Sequence, residues 1–350
     1  MFPNIFIAMN ENTHRSVLVS GFGSKSFSLK HELTKIWRPE RFQGSRKTDT
    51  YFEGWYFKNV SSDSQHCWSF IPGISLAGEN SHAFVQAING KTGETSYFRF
   101  DIRSFSYSTN SFRIQIGPNE FSTEGFTLDL DNGEEKFKGK VAISNIEPFK
   151  VNVFRPGIMG WYRYVPFMEC YHGVVSLDHQ LNGTTFHNQK AMNFDNGIGY
   201  IEKDWGTSMP KAWVWMHCNH FEEPGVSFMI SVARIPWLGR TFTGFLGFFL
   251  HNGETHVFAT YTGAKINALD IEPDKVNIQI ETKKLIIDLK AANKSKGALK
   301  APVHGDMERI IHESIDAKIE LKVSDKKHIV FQGLGRNAGL ELVGNKELLK

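Results

Sequence analysis

Four short segments set carboxylates and other polar groups among aromatic residues. They are Tyr51-Phe52-Glu53-Gly54-Trp55-Tyr56-Phe57-Lys58, Pro166-Phe167-Met168-Glu169-Cys170-Tyr171-His172-Gly173, Glu202-Lys203-Asp204-Trp205-Gly206 and Trp213-Val214-Trp215. A carboxylate among rings loses solvation, which raises its pKa toward neutrality. A carboxylic acid kept protonated at working pH can give its proton to a weak base. An isolated alkene is such a base; protonated, it becomes a tertiary carbocation that the negative faces of indole and phenol rings stabilise. A dry cavity would keep water from trapping that cation. The structural reading competes: Glu53 could pair with Lys58 or Arg41, Glu202 could sit on a barrel rim, and perturbed acids are only probabilistic markers of a site. In an extended strand Glu202 and Asp204 share a face, so one could raise the pKa of the other.

Other constellations carry less. Gly333-Leu334-Gly335-Arg336-Asn337-Ala338-Gly339 lacks the spacing and the βαβ setting of a dinucleotide loop. His217 and His220 would face opposite sides of a strand, and no metal site is expected from them. Cys170 and His172 share a face, but no third partner for nucleophilic catalysis is visible.

These residues need a scaffold, and the text around them is strand-like. From Thr50 onward, short apolar and aromatic runs such as Tyr51–Asn59, Cys67–Ile74, Ala83–Asn89, Tyr171–Asp178, Gly199–Asp204, Trp213–Asn219, Val226–Ile235 and Phe242–His251 are broken by turn residues. Asn182-Gly183 and Asn252-Gly253 read as hairpin turns. Met307–Ser314 reads as strand and Ala291–Lys300 as an exposed loop. The count, roughly fifteen to twenty strands, is too many for one small barrel and right for two. The organisation is an irregular lead-in at 1–30, an N-terminal barrel lobe at 31–170 and a C-terminal barrel lobe at 171–350. Glu53-Gly54-Trp55 and Glu202–Gly206 look like an internal echo of two similar lobes. The aromatic stretch from Pro148 to Pro166 reads as a lid or an inter-lobe strap.

Composition narrows the classes. The chain has 350 residues, 13% aromatic, with 40 basic and 37 acidic side chains, so its balance gives no argument for nucleic acid. Three distant cysteines, Cys67, Cys170 and Cys218, argue against a disulfide framework and for a reducing compartment. No signal peptide or bilayer-spanning run is read; the expectation is a cytoplasmic protein, at most peripheral to a membrane. The Lys283–Lys300 charges read as a solvated surface that could also touch anionic headgroups.

The chemical segments together resemble the tocopherol cyclase family. The matching text includes Trp37-x-Pro39, Phe42-Gln43-Gly44, Tyr51 to Lys58, Ile71–Ile74, His82–Gln86, Pro156–Tyr162, Val165 to Asp178, Gly199 to Gly206, Ala259–Ala264, Glu313–Asp316 and Ala338–Glu341, from about Ile36 to Gly344. The resemblance implies an all-β fold of two calycin/lipocalin-like antiparallel β-barrel lobes packed together, as in related carotenoid hydratases. It implies cofactor-free closure of a prenylated hydroquinol to a chromanol, with no metal and a lipophilic small molecule as partner. Segments like Lys203–Gly206 with a following Trp-x-Trp line the pocket in such relatives. Asp204 therefore ranks first as proton donor and Glu202 second, followed by Glu53, Glu169 and His172. Trp55, Tyr171, Trp205, Trp213 and Trp215 are expected as walls. A plastid transit peptide, carried by plant members, is not seen, and nothing specifies a phytyl tail. A hydratase of an isoprenoid double bond and a non-catalytic lipid carrier are the alternatives, although a carrier gains nothing from desolvated acids.

Overall fold

The computed structural model describes residues 20–22, 28–294, 296–325 and 327–349. Most of the 1–30 lead-in therefore lies outside the described residues, apart from one short strand and the start of helix α1 (Leu29–Thr34), capped by Ser28.

Two large sheets account for the strands. The first runs through β1 (Ser20–Phe22), β2 (Tyr51–Val60), β3 (Cys67–Leu76), β4 (His82–Asn89) and β5 (Thr95–Asp101). It continues with the short β6 (Phe105–Ser108), β7 (Arg113–Ile116), β8 (Asn119–Ser122) and β9 (Gly125–Asp131). Long β10 (Lys136–Pro148) and β11 (Cys170–His187), then β12 (Lys190–Asn193) and β13 (Gly197–Gly206), complete it. Its order is β1-β6-β7-β8-β9-β10-β11-β13-β2-β3-β4-β5, a nearly closed barrel, antiparallel except where β1 lies parallel to β6.

The second sheet contains β14 (Trp213–Cys218), β15 (Ser227–Trp237), β16 (Arg240–His251), β17 (Glu254–Ala259) and β18 (Lys265–Ile271). It ends with β19 (Lys275–Glu281), β20 (Ile286–Ala292), β21 (Gly297–Val303), β22 (Asp306–Ser324) and β23 (Ile329–Val343). Its order is β17-β16-β15-β14-β23-β22-β20-β19-β18, with β21 on β22. The fold is the two-lobed, all-β architecture expected. The sheets part between Gly206 and Trp213, later than the 170/171 division read from the sequence, because β11 and β13 pair with β10 and β2 in the first sheet.

Each lobe has its own apolar core. Trp55, Phe57, Phe70 and Phe126 belong to the first, and Val214, Phe228, Ile278 and Ile319 to the second. A third core, with Tyr56, Tyr200, Trp213, Trp215, Phe248 and Ile315, fills the seam between the lobes. Central strands are thus buried on both faces, which is why β2 and β14 read as almost unbroken apolar runs. Burying one such large side chain is worth about 1.5–3 kcal/mol.

Several local expectations meet a different backbone. Asn252 and Gly253, at φ 51° and 73°, make the hairpin turn between β16 and β17. Asn182-Gly183 does not turn; it lies inside the 18-residue β11. Gly183 has φ 139°, and a Cβ there would sit 2.4 Å from the Lys140 carbonyl oxygen, so the glycine serves close strand approach. Met307–Ser314 is strand, within β22. Part of the expected 291–300 loop is β21, with Leu299 buried. The two echoed motifs do not mark two lobes: they lie side by side in one sheet, Trp205 opposite Glu53 and Lys203 opposite Trp55. Cys67, Cys170 and Cys218 are unpaired thiols. No helix among the described residues is long and apolar enough to cross a membrane.

Candidate active site

A cavity of about 170 Å³ lies in the seam, walled by β2, β3, β4, β11 and β13 on one side and by β14, β15, β21, β22 and β23 on the other. Met159 and Met168, from the 149–169 connection, cover one side. That connection is therefore a strap across both lobes, tied to the second by Tyr261, whose hydroxyl donates to the Ile158 carbonyl at 2.7 Å.

Strand alternation decides which side chains reach the cavity. On β13, Glu202 and Asp204 face it, while Lys203 and Trp205 point into the first lobe. The neighbouring β11 sets His172 opposite Asp204. His172 Nδ1 lies 2.9 Å from Asp204 Oδ1, and Nε2 makes an ion-pair contact with Glu202 Oε2 at 3.3 Å. Burial pulls the imidazole pKa down, but Asp204 and Glu202 together outweigh it and hold His172 well above its ordinary value. Glu202 Oε2 also accepts from Tyr200 Oη at 2.7 Å and from Trp215 Nε1 at 3.1 Å. The Trp215 ring can lie there because Gly339, its neighbour on β23, has no Cβ; one would approach the ring to 2.5 Å. Single donor atoms of His172, Glu202 and Asp204 come within 4.8 Å of one another, spacing that a cation could bridge. Here a protonated imidazole links the two carboxylates.

The opposite wall carries a second pair of acids. Glu313 on β22 and Glu341 on β23 are cross-strand partners, and both line the cavity. Burial and the charge of Glu341 hold the Glu313 carboxyl well above the usual range, although Tyr56 and Lys58 work against the rise. Burial pushes Glu341 to about 8, with Glu202 and Asp204 adding to it. Tyr56 Oη donates to Glu313 Oε1 at 2.6 Å, and Trp213 Nε1 donates to Glu341 Oε2. Each acid keeps one oxygen free of these contacts. Near neutral pH the pair holds protons, which belong to the pair rather than to either residue.

Of the residues singled out from the sequence, Glu169, His172, Glu202, Asp204, Trp213 and Trp215 line the cavity. Burial raises Glu169 from its usual value. Cys170 lines it too, and burial, reinforced by Asp204 and Glu169, keeps its thiol protonated. Glu53, Trp55, Tyr171 and Trp205 are not among the lining residues. Glu53 is fully buried inside the first lobe, paired with Lys203 Nζ at 2.5 Å. It also accepts from the Gln43 and Gly44 amides and the Tyr51 hydroxyl. Trp55 belongs to the same core, and Tyr171 stacks on Trp205 at 5.5 Å. His217, stacked on Tyr200 at 3.5 Å, is buried and His220 half-buried, and desolvation lowers both pKa values, so they pack as neutral rings.

Glu313, Glu341 and Tyr56 escaped the sequence reading as site residues. In β22, residues 311, 313, 315, 317, 319 and 321 look like one face. A register shift between Ser314 and Ala317 divides them: Ile311, Glu313 and Ile315 turn to the seam, Ala317, Ile319 and Leu321 to the lobe core. The one signal available was that both acids sit in the late segments, Glu313–Asp316 and Ala338–Glu341, that carry the resemblance.

Residues 145–344 match the tocopherol cyclase-like family. A 149-residue stretch is 28% identical to the probable tocopherol cyclase, chloroplastic, of Oryza sativa subsp. japonica, over 41% of this chain and 31% of that protein. A 74-residue stretch is 31% identical to the tocopherol cyclase, chloroplastic, of Zea mays, over 21% and 15%. These matches span less than a third of the relatives' length. The crystal structure of CghA aligns with a TM-score of 0.51 at 6% identity, over 84% of this chain and 88% of that one, a likeness of fold.

Proposed function

The chain belongs to the tocopherol cyclase-like family, and from that premise we propose that the seam cavity closes a ring on a lipophilic prenylated quinol or terpenoid by protonating an alkene. The observation that carries this reading is the Glu313–Glu341 pair, Glu313 buried and Glu341 half-buried, held protonated by desolvation and opposed across an aromatic cavity by charged His172 with Glu202 and Asp204.

In this reading a carboxyl of the Glu313–Glu341 pair gives its proton to the less substituted alkene carbon, forming a C–H bond and leaving the cation on the tertiary carbon. The rings of Tyr56, Trp213 and Trp215 face that charge. The phenol oxygen of the substrate attacks the cation, a C–O bond forms, and the phenol proton passes to the Asp204–His172 side. Proton return to the glutamate pair restores the enzyme. Nothing is gained or lost overall, so the reaction is an isomerisation that needs no cofactor. The sequence ranking put Asp204 first as donor. Its contact with a charged imidazole suits a proton acceptor better, and the donor role moves to the opposite wall.

The test is incubation with a prenylated hydroquinol in deuterated water, followed by mass analysis. One deuterium on carbon in a cyclised product supports the proposal. A product that has gained water makes the protein a hydratase. Tight retention of unchanged lipid makes it a carrier.

A further inference from the structure

The strap and the tip of the β15–β16 hairpin leave large apolar side chains in the open. Phe154 is 90% exposed, Leu238 76% and Phe167 59%, with Val153, Trp161 and Tyr164 also exposed. They form one patch. Phe167 and Trp161 pack on the Trp237 ring at 5.7 and 6.1 Å, Leu238 follows Trp237 at the hairpin tip, and the Tyr164 hydroxyl donates to the Val153 carbonyl. Contiguous apolar patches on a protein surface mark places that meet another apolar phase or partner.

Charge and position identify that phase. Residues 149–168 and 234–243 bring Lys150, Arg155, Arg234 and Arg240 to the patch and no Asp or Glu, the acid nearest Lys150 being Glu147 at 4.0 Å, in a chain otherwise near balance; Arg163 turns inward onto Trp205 and Gln43. Exposed Trp, Tyr and Phe ringed by arginine and lysine are the composition of a membrane–water interface. A second copy docking on the same patch would bring these cations against their own kind. The patch also adjoins the cavity: Met168, Ile235 and Pro236, chain neighbours of Phe167 and Trp237, line it. A smaller cavity of about 50 Å³ beneath Tyr162 and Phe242 shares Met159, Met168 and Ile235 with the main one. The Lys283–Lys300 run suits this role less, since Lys294 is paired with Asp316 and Lys296 with Asp274.

We propose that this aromatic patch docks on an anionic lipid bilayer, its rings seated at the headgroup–acyl boundary, with the apolar path into the cavity opening beside it. The proposal goes beyond the acid chemistry and does not need it.

Flotation of the full chain with vesicles tests it, without substrate or turnover. Wild type is expected to float with vesicles of equal parts phosphatidylcholine and phosphatidylglycerol, less with phosphatidylcholine alone, and less as salt rises. The triple variant F154S/W161S/L238S, all surface positions, should lose at least about tenfold in partitioning with unchanged circular dichroism. R155E/R240E should lose the preference for anionic vesicles, and serves if the triple variant folds poorly. The proposal is overturned if wild type stays behind, if the variants float as wild type does, or if the patch instead makes a dimer that the triple variant turns into monomer.

Discussion

Tyr56 of the first sheet donates its phenol hydrogen to Glu313 of the second at 2.6 Å, across the seam. A reciprocal contact runs the other way, from Trp215 of the second sheet to Glu202 of the first at 3.1 Å. One acid on each wall is thus held by an aromatic donor from the opposite lobe. Separating the lobes would break both of these buried hydrogen bonds at once, so formation of the site and docking of the lobes are coupled.

Removing one of these donors tests that link. Tyr56→Phe keeps the ring and deletes the hydrogen bond to Glu313. Leaving a buried, neutral carboxyl without its donor should cost about 1–3 kcal/mol, read as a lower urea midpoint. The Tyr56 contact also restrains the upward shift of Glu313, so the pKa of that acid should climb further in the variant.

The pH dependence of turnover should report the glutamate pair. A donor must be protonated, and Glu341 is pushed up to about 8, so activity should persist through neutrality and fall as pH rises past about 8. Glu341→Gln should lower turnover by about 10²–10⁴-fold. Stability follows the same sign. The folded glutamates keep protons that the unfolded chain releases near the ordinary carboxylate range, so the folded state binds more protons between there and about 8. Stability is full below that window and falls as pH rises through it. Glu341→Gln should flatten the slope; an unchanged slope would remove Glu341 from the account.

Asp204→Asn separates charge from shape on the other wall. The amide still fits beside His172 and should leave lipid binding intact, while turnover drops for want of a proton acceptor. Because Asp204 leads the contributions that raise His172, the imidazole should titrate nearer its ordinary value in the variant. Proton NMR of the His172 ring reads that directly. His172 stability linkage has the raised-pKa sign, present at low pH and lost as pH climbs through the folded value, and the variant should bring that loss to lower pH.

How far the sequence carried can be judged on single strands. The alternation of β13 was enough to put Glu202 and Asp204 on one face, while Trp213 and Trp215 as pocket walls came from the family resemblance. Which face that was could not be read, since both faces of β13 and β2 are buried and both read as apolar. Glu53 and Trp55 went to the lobe core for that reason. Glu313 was hidden by a bulge, which exchanges faces without leaving a mark in the hydrophobic pattern. The all-β class and the two lobes were legible. The described residues hold 23 strands, more than the fifteen to twenty read, because four-residue strands such as β6, β8 and β12 leave little pattern. The parting of the sheets was not legible either, because β11 and β13 look no different from the strands that follow them.

Glu53, ranked among the candidate acids from the sequence, and Lys203, its partner in place of the expected Lys58 or Arg41, yield the last test. Both side chains are fully buried, 2.5 Å apart, and Lys203 Nζ also lies over the Trp55 ring at 4.5 Å and donates to the Arg41 carbonyl. Burial pulls Lys203 down to about 8 even with Glu53 holding it up, so the ion pair lives on a balance that either partner alone cannot keep. Lys203→Met removes the counter-charge and leaves Glu53 with only the Gln43 and Gly44 amides and the Tyr51 hydroxyl. An uncompensated buried charge of this kind costs about 3–5 kcal/mol, whereas replacing both members by apolar or neutral residues is often close to neutral. Lys203→Met should therefore lower the urea midpoint sharply, and adding Glu53→Gln should recover most of the loss. Turnover per folded molecule should hold in the double variant, because neither side chain faces the cavity. A double variant that folds but no longer turns over would return Glu53 to the chemistry.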